Sequence, residues 1–134
     1  MKSGRRQARE MALQALYAWQ LSGTDPRQQE KHLPFTDQIL AGVVERAADL
    51  EKIIAPHLDR DFKRLSPVER AILYIGTYEL GAHPETPFKV VLNEAIELGK
   101  SYGGTEGHRF VNGVLEKVAA ALRPDEVARA RNPA

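Results

Sequence analysis

The sequence contains no cysteine and no long apolar run, and each absence excludes a class of protein. A chain without cysteine has no disulfide scaffold, no thiolate metal site and no cysteine nucleophile, and this composition suits a reducing compartment. The apolar runs are all shorter than the roughly 20 residues that span a bilayer. The first of them, residues 8–21, is interrupted by charged and amide side chains, unlike the core of a signal peptide. We therefore expect a cytoplasmic protein that does not associate with membranes.

An excess of charge of either sign is also absent. The 19 lysine and arginine residues nearly balance the 18 acidic residues, which leaves a formal net charge of +1. Attraction of the whole protein to nucleic acid is therefore not expected. The charge is unevenly placed, because only one acidic residue, Glu10, accompanies the cations at the start of the chain. These cations are Lys2, Arg5, Arg6 and Arg9. They predict a local basic patch.

The chain of 134 residues is long enough for one domain with its own core, and we predict a single domain over residues 1–134. Apolar side chains recur at intervals of three and four, and no stretch alternates clearly, which predicts helices rather than strands. Residues 24–34 are predicted to form a loop and residues 124–134 a polar tail. The helices are predicted at residues 5–21, 35 to about 58, 67–80, 87–102 and 110–122. Together they predict an all-α domain of short, closely linked helices.

Proline positions mark several helix boundaries. Ser66, Pro67 and Glu69 have the spacing of a capping box with proline at the first helical position. Pro56 predicts a break late in the second helix. Pro124 is predicted to end the last helix.

Gly99, Lys100 and Ser101 are followed by further glycines, which raises the question of a phosphate-binding loop. Such a loop needs another glycine five residues earlier and a strand that leads into a helix N-terminus. Residue 94 is a glutamate, and the residues before Gly99 have helical spacing. The motif is therefore predicted near the C-terminal end of a helix, where the macrodipole favours a cation and disfavours phosphate. We do not expect an NTP-dependent enzyme.

No combination of residues predicts catalysis, a metal or a cofactor. Glu94 and Glu97 share a helix face, but a carboxylate metal site needs further ligands, such as Glu-x-x-His pairs, that the sequence does not offer. We expect solvated or capping roles for them. Asn93 lies inside a predicted helix and is expected to make a buried hydrogen bond that fixes helix packing, with ligand contact as the alternative.

The basic first helix gives the strongest indication of a binding function. Arginines at its open end can contact phosphates, and Tyr17 can stack on a base of single-stranded nucleic acid. The alternative is a helix end that is merely solvated. In the segment GGTEGHRF, His108 and Arg109 can reach phosphate and Phe110 can stack on a base, although Phe110 also fits the apolar stripe of its helix.

Four segments, in order, cover nearly the whole chain and carry a family resemblance. They are RRQAREMALQALYAWQ (residues 5–20), SPVERAILYIGTYEL (66–80), PFKVVLNEAIELGKSYG (87–103) and HRFVNGVLEKV (108–118). In these segments the sequence resembles the NusB family of bacterial transcription antitermination factors. The resemblance implies an all-α fold of about seven helices in two small packed bundles, and a protein that is not an enzyme.

The same resemblance implies partners and site residues. The partners are a small-subunit ribosomal protein, NusE, and the boxA element of ribosomal RNA leaders, where the heterodimer helps RNA polymerase read through terminators. Self-association into a homodimer is also implied for some members. The residues at or near the family's RNA-binding positions are Arg5, Arg6, Arg9, Tyr17, Glu106, His108 and Phe110. The residues that match the region meeting the ribosomal protein are Glu69, Tyr74 and Tyr78.

Two other functions stay open at the level of sequence. The same helical domain resembles the N-terminal RNA-binding part of certain ribosomal RNA cytosine methyltransferases, although no Rossmann-like segment follows in this sequence. The second alternative is a protein-interaction module in which the basic helix only adds solubility. Charge reversal of Arg6 and Arg9 is expected to lower RNA affinity and leave ribosomal-protein binding intact if the RNA-binding hypothesis holds.

Overall fold

A computed structural model describes residues 4–28, 32–102 and 107–132, and in these ranges the protein is helical without any strand. Three short 3₁₀ turns, Pro26–Gln28, Ala55–His57 and Phe62–Arg64, lie between the longer elements. The α-helices are α1 (Gly4–Ser22), α2 (Pro34–Ile54), α3 (Pro67–Ala82), α4 (Phe88–Tyr102), α5 (Gly107–Leu122) and α6 (Pro124–Arg131). The predicted all-α fold is confirmed, with six α-helices and three 3₁₀ turns in the described ranges where the resemblance implied about seven helices.

Helix α3 is the centre of the packing. Every residue from 71 to 80 is buried, and the helix contacts α1, α2, α4 and α5. The predicted capping box starts it, because the Ser66 hydroxyl accepts from the Glu69 amide and the Glu69 carboxylate accepts from the Ser66 amide, both at 3.1 Å. Such a cap contributes about 1 kcal/mol of helix stability. The buried apolar side chains of all six helices form one continuous core around α3.

A buried arginine closes the C-terminal end of α3. The Arg123 side chain donates hydrogen bonds to the carbonyl oxygens of Leu80 at 2.9 Å, His83 at 2.8 Å and Glu79 at 3.2 Å. A further bond of 2.6 Å reaches the carbonyl of Thr86 in the turn that follows. Helix C-termini leave several carbonyls without intrahelical partners. Arg123 supplies the donor for the Leu80 carbonyl and adds to the backbone bonds that the Glu79 and His83 carbonyls already accept. Its positive charge lies at the negative end of the helix dipole, which is favourable.

The end of the chain differs from the prediction of a polar tail. Pro124 ends α5 as predicted, but it also begins α6, because proline suits the first position of a helix. Asp125 lies in the first turn and Arg129 in the last turn of α6, as the helix dipole favours. Val127 is buried and joins α6 to the core. The predicted break at Pro56 is confirmed, since α2 gives way to a 3₁₀ turn there.

Candidate nucleic-acid interface

The arginines at the start of α1 do not form a free basic patch. Arg9 is buried, with its side chain only 4% exposed, and its guanidinium makes two hydrogen bonds of 2.8 Å with the carboxylate of Glu79 on α3. The expectation that Arg9 belongs to an accessible basic patch is therefore wrong. Burial of a charge is tolerated when a partner of this geometry accepts it. Arg9 holds α1 against α3 and offers no guanidinium to a phosphate.

Arg5 and Arg6 are also engaged within the protein, although both reach solvent. The Arg6 guanidinium pairs with the Glu94 carboxylate of α4 through bonds of 3.0 and 3.1 Å. This hydrogen bond, and after it the Glu94 charge, raise the pKa of Arg6 above its usual value. The guanidinium of exposed Arg5 lies over the ring of Phe35, 3.9 Å from its centroid. Phosphate binding by Arg6 has to compete with Glu94, whereas Arg5 can bind without breaking an ion pair.

Tyr17 lies on an exposed, mainly apolar face. It is 40% exposed, and Leu21, one turn later on α1, is 63% exposed. Gln14, which precedes Tyr17 by one turn, donates a hydrogen bond of 3.1 Å to the hydroxyl of Tyr102 at the end of α4. We call Tyr17, Leu21 and Tyr102 the Tyr17 face. Its aliphatic and aromatic character suits a protein partner as well as a nucleic-acid base.

A second site forms around Phe110 on α5. A groove of about 270 Å³ has Phe110, Gly113 and Lys117 on one wall and His57 and Asp59 on the other. We call it the Phe110 groove. Arg109 also contributes to the α5 wall. The Phe110 ring is half-buried against the core and half open to the groove. The expected packing of this ring against the core is therefore confirmed, and its contact with a ligand stays a prediction.

The loop opposite Phe110 supplies a cation that the sequence did not predict. The guanidinium of Arg60 lies 5.2 Å from the centroid of the Phe110 ring, within the range of a cation–π interaction. Asp59 holds Arg60 through a bond of 2.8 Å. No spacing in the sequence links residues 57–60 with α5, because the fold alone brings them together. The groove therefore brings one ring together with the cation of Lys117, while Arg60 beside the ring is paired with Asp59.

His108 belongs to the packing between α4 and α5. A side chain added at Gly99 would place its Cβ 2.7 Å from the His108 Cβ and 2.8 Å from the His108 Cα. Gly99 is therefore needed for the close approach of the two helices. The Nδ1 atom of His108 is buried and has no hydrogen-bond partner among the residues that the structure describes. RNA contact by His108 stays a prediction, and Glu106 lies outside the described residues.

The structure gives the three residues expected to meet the ribosomal protein other roles. Tyr74 is 5% exposed, and its hydroxyl donates to the Glu51 carboxylate at 2.8 Å. Tyr78 is 9% exposed and its hydroxyl lies 3.1 Å from Nε2 of His83. Burial raises the pKa of both tyrosines, and in Tyr74 the hydrogen bond to Glu51 adds to the effect. Tyr74 and Tyr78 thus expose little surface, while Glu69, the capping residue of α3, keeps an accessible edge. Contact of these three residues with the ribosomal protein stays a prediction.

Asn93 is exposed, so the expected buried hydrogen bond is wrong. It lines a groove of about 480 Å³ that runs between α4, α5 and α6. Asn112 of α5 lines the same groove and donates a hydrogen bond of 3.3 Å to Glu116. The helical spacing predicts that Asn93 lies inside a helix, but it does not predict whether the side chain faces the core or the solvent. We call this the Asn groove.

Two classes of site are not found in the described parts of the chain. No group of three or more histidine and acidic side chains within residues 4–28, 32–102 and 107–132 is placed to hold a metal ion. Over the same ranges, no helix has the length and apolar character needed to cross a membrane.

Comparison with known proteins identifies close relatives. The family model described as "NusB family" matches residues 6–120. Transcription antitermination protein NusB of Dechloromonas aromatica is 49% identical over 95% of this chain and 85% of its own length. The protein of the same name from Nitrosomonas europaea is 50% identical over 94% and 82%. That of Burkholderia ambifaria is 47% identical over 98% of both chains.

Solved structures agree with the sequence relatives. The fold matches that of T. maritima NusB with a TM-score of 0.84 at 28% identity, over 96% of this chain and 99% of the other. A structure of antitermination factors NusB and NusE in complex with double-stranded RNA matches with a TM-score of 0.78 at 27% identity. That match covers 90% of this chain and 99% of the other.

Proposed function

Because the chain belongs to the NusB family, we propose that it binds boxA-type RNA of ribosomal RNA leaders together with the ribosomal protein NusE. The relatives named above are transcription antitermination proteins, and a related NusB forms a complex with NusE and RNA. In this proposal the assembled complex helps RNA polymerase read through terminators. The chain contributes binding surfaces and catalyses no reaction.

The Phe110 groove is the observation that supports RNA binding most strongly. Single-stranded RNA is recognised by stacking unpaired bases on rings while cations hold the phosphates. The groove offers a half-open ring, the side-chain-free position of Gly113, and cations from both walls. Arg60 already lies near the ring. A base that enters the groove can stack on the open part of the ring. Arg60, like Arg6, can bind a phosphate only when its bonds to an acidic partner, here Asp59, are exchanged.

The arginine end of α1 has a smaller part in this proposal. Arg9 is buried, and Arg6 can bind phosphate only when its bond to Glu94 is exchanged. Arg5 is the described cation of this end that is exposed and outside an ion pair. We propose that Arg5 contacts the RNA backbone at a distance from the Phe110 groove. Phosphate contacts of this kind strengthen binding without selecting a sequence.

The Tyr17 face is the proposed contact for the ribosomal protein. Aromatic side chains at the centre of an apolar patch are typical of protein interfaces, and the Leu21 side chain has no obvious role in RNA binding. RNA contact by Tyr17 remains the alternative. A protein with a net charge near zero gains little overall attraction to RNA. A partner that adds its own basic surface raises the number of phosphate contacts, which explains why the heterodimer is the working unit in this proposal.

The test measures binding of fluorescent boxA RNA to the chain mixed with NusE. Phe110→Leu keeps the apolar volume and removes the ring, so we expect the Kd to rise about tenfold, within the range for one stacked base. Lys117→Gln is expected to lower the slope of log affinity against log salt by about 0.7, the value for one phosphate contact with a single strand. Lys52→Gln, at an exposed position on α2, is the matched control.

Scrambled and duplex RNAs complete this experiment. Preference for boxA over the scrambled strand supports the proposal. If the duplex binds as tightly as the single strand, recognition by stacked bases is wrong. If no RNA binds while NusE does, the chain is a protein-interaction module. The neutralised arginines of α1 are the observation that favours this second function.

A further inference from the structure

The Asn groove carries chemistry that neither the core nor the Phe110 groove uses. Its walls hold the amides of Asn93 and Asn112, the half-buried ring of Phe88, and the cations Lys89 and Arg131. The exposed amide of Asn93 makes no hydrogen bond with any residue that the structure describes. Asparagine inside a helix costs helix stability relative to alanine. Because Asn112 bonds Glu116 on its own helix and Asn93 has no such bond, Asn93 gives the stronger indication of a ligand contact.

The side chains around the groove suit a nucleotide of a single-stranded RNA. A carboxamide presents a donor and an acceptor side by side, which matches the edge of a nucleobase. The bond from Asn112 to Glu116 fixes the orientation of one of the two amides. Lys89 and Arg131 form no ion pair with the described part of the chain, and their charges can hold a phosphate. Phe88 offers the edge of a ring beside them.

The position of the groove connects it with the Phe110 groove. On α5, Asn112 and Glu116 line the Asn groove, and their next neighbours, Gly113 and Lys117, line the Phe110 groove. The two grooves are therefore separated only by the width of one helix, about 10 Å. At Gly113 an added Cβ would meet no atom within 4 Å. The ridge between the grooves is lowest at this residue.

We propose that RNA held in the Phe110 groove crosses α5 over Gly113 and places a further nucleotide in the Asn groove. The Asn93 and Asn112 amides bind the base edge, and Lys89 and Arg131 bind the phosphate. This inference rests on the proposed RNA-binding function and extends the length of RNA that the protein reads. Since amides distinguish bases and cations do not, the Asn groove adds sequence preference and not only affinity.

The experiment uses the full chain mixed with NusE and a ladder of boxA RNAs shortened from either end. In the double variant Asn93→Ala/Asn112→Ala both helices keep a favourable residue. We expect it to bind the longest RNA about tenfold more weakly, as for one lost base-edge contact. RNAs too short to cross α5 should bind the variant and the unmodified protein equally. Gln38→Ala, an exposed amide on α2 away from both grooves, is the control.

A second variant tests the route. Gly113→Leu raises the ridge between the grooves and should remove the advantage of the long RNA over the short RNA. Phe110→Leu should weaken both RNAs and therefore tests the proposed function separately. Because the chain has no cysteine, the thiol of Asn93→Cys is a unique point for attaching a photo-crosslinker. On illumination this group should crosslink to a nucleotide outside the segment that binds at Phe110.

The outcomes distinguish the two proposals. If Phe110→Leu weakens binding while the asparagine variant matches the Gln38→Ala control on every RNA, the extension is wrong and the proposed function stands. If neither variant changes RNA binding, the proposed function fails. If the asparagine variant loses affinity for NusE and not for RNA, the Asn groove is a protein contact and the inference is overturned.

Discussion

Breaking the buried pair of Arg9 and Glu79 gives the sharpest expected change in stability. The two side chains are 4% and 2% exposed and joined by two bonds of 2.8 Å. Arg9→Met leaves the Glu79 carboxylate buried without its cation. Removal of one partner from such a pair costs about 3–5 kcal/mol. For a domain of this size, that corresponds to a decrease in Tm of roughly 10–20 °C.

The double variant Arg9→Met/Glu79→Leu separates the pair from its surroundings. Apolar side chains of similar volume can replace a buried ion pair at little cost, so we expect the double variant to recover most of the lost stability. The assay is urea unfolding followed by circular dichroism, with RNA affinity measured on folded protein in parallel. Arg6→Met, which breaks the half-exposed pair with Glu94, is the control and should change the urea midpoint little, because solvent screens a pair at the surface.

The same variants decide what Arg9 does. A structural role for Arg9 is refuted if Arg9→Met unfolds at the same urea concentration as the unmodified protein and its log RNA affinity falls less steeply with log salt. In that case Arg9 would be a phosphate contact. A stable double variant with unchanged RNA affinity would establish that the side chain positions α1 against α3.

Three further changes have expected outcomes. Gly99→Val should destabilise the protein by about 1–3 kcal/mol in urea unfolding, because the added side chain collides with His108 and overpacks the helix contact. Gly81→Ala is the control and should not destabilise the protein, because the nearest atom to its added Cβ is 4.0 Å away. Arg123→Met should cost about 1–3 kcal/mol, since it removes the donor from the buried Leu80 carbonyl at the end of α3, and unchanged thermal stability would contradict the capping role. The raised pKa of Tyr74 favours the folded state only while the tyrosine is neutral. Stability should therefore fall as pH rises above the ordinary tyrosine pKa of about 10. In Tyr74→Phe the urea midpoint should depend less on pH in the alkaline range. An equal dependence of the midpoint on pH in the two proteins would contradict this explanation.

The sequence predicted the fold well because the signals for it are local. Helical spacing, the capping box at Ser66 and the break at Pro56 depend on residues close in the chain, and the structure confirms all three. The prediction of a polar tail was wrong, because Pro124 ends one helix and also suits the first position of the next. A single buried residue, Val127, ties that short helix to the core, and this signal is too weak to recognise beforehand.

The site was less predictable because its contacts are long-range. Arg9 and Glu79 are 70 residues apart, and nothing near either residue in the sequence shows that they pair. The same holds for Arg60 and Phe110, which the fold brings together from separate segments. From the sequence, charge reversal at Arg9 was expected to distinguish an RNA-binding helix from one that only adds solubility. In the structure the same change would disrupt the core, because Arg9 is buried. Lys117, at the edge of the Phe110 groove, is the better position for that test.

The most direct measurement of the central claim is a salt titration of boxA binding to the complex with NusE, using the unmodified protein, Lys117→Gln and Phe110→Leu. We expect log affinity to fall linearly with log salt. Lys117→Gln should reduce the slope by about 0.7, as for one phosphate contact. Phe110→Leu should weaken binding at every salt concentration and leave the slope unchanged, because a stacked ring contributes no charge. Equal curves for all three proteins would contradict RNA binding in the Phe110 groove.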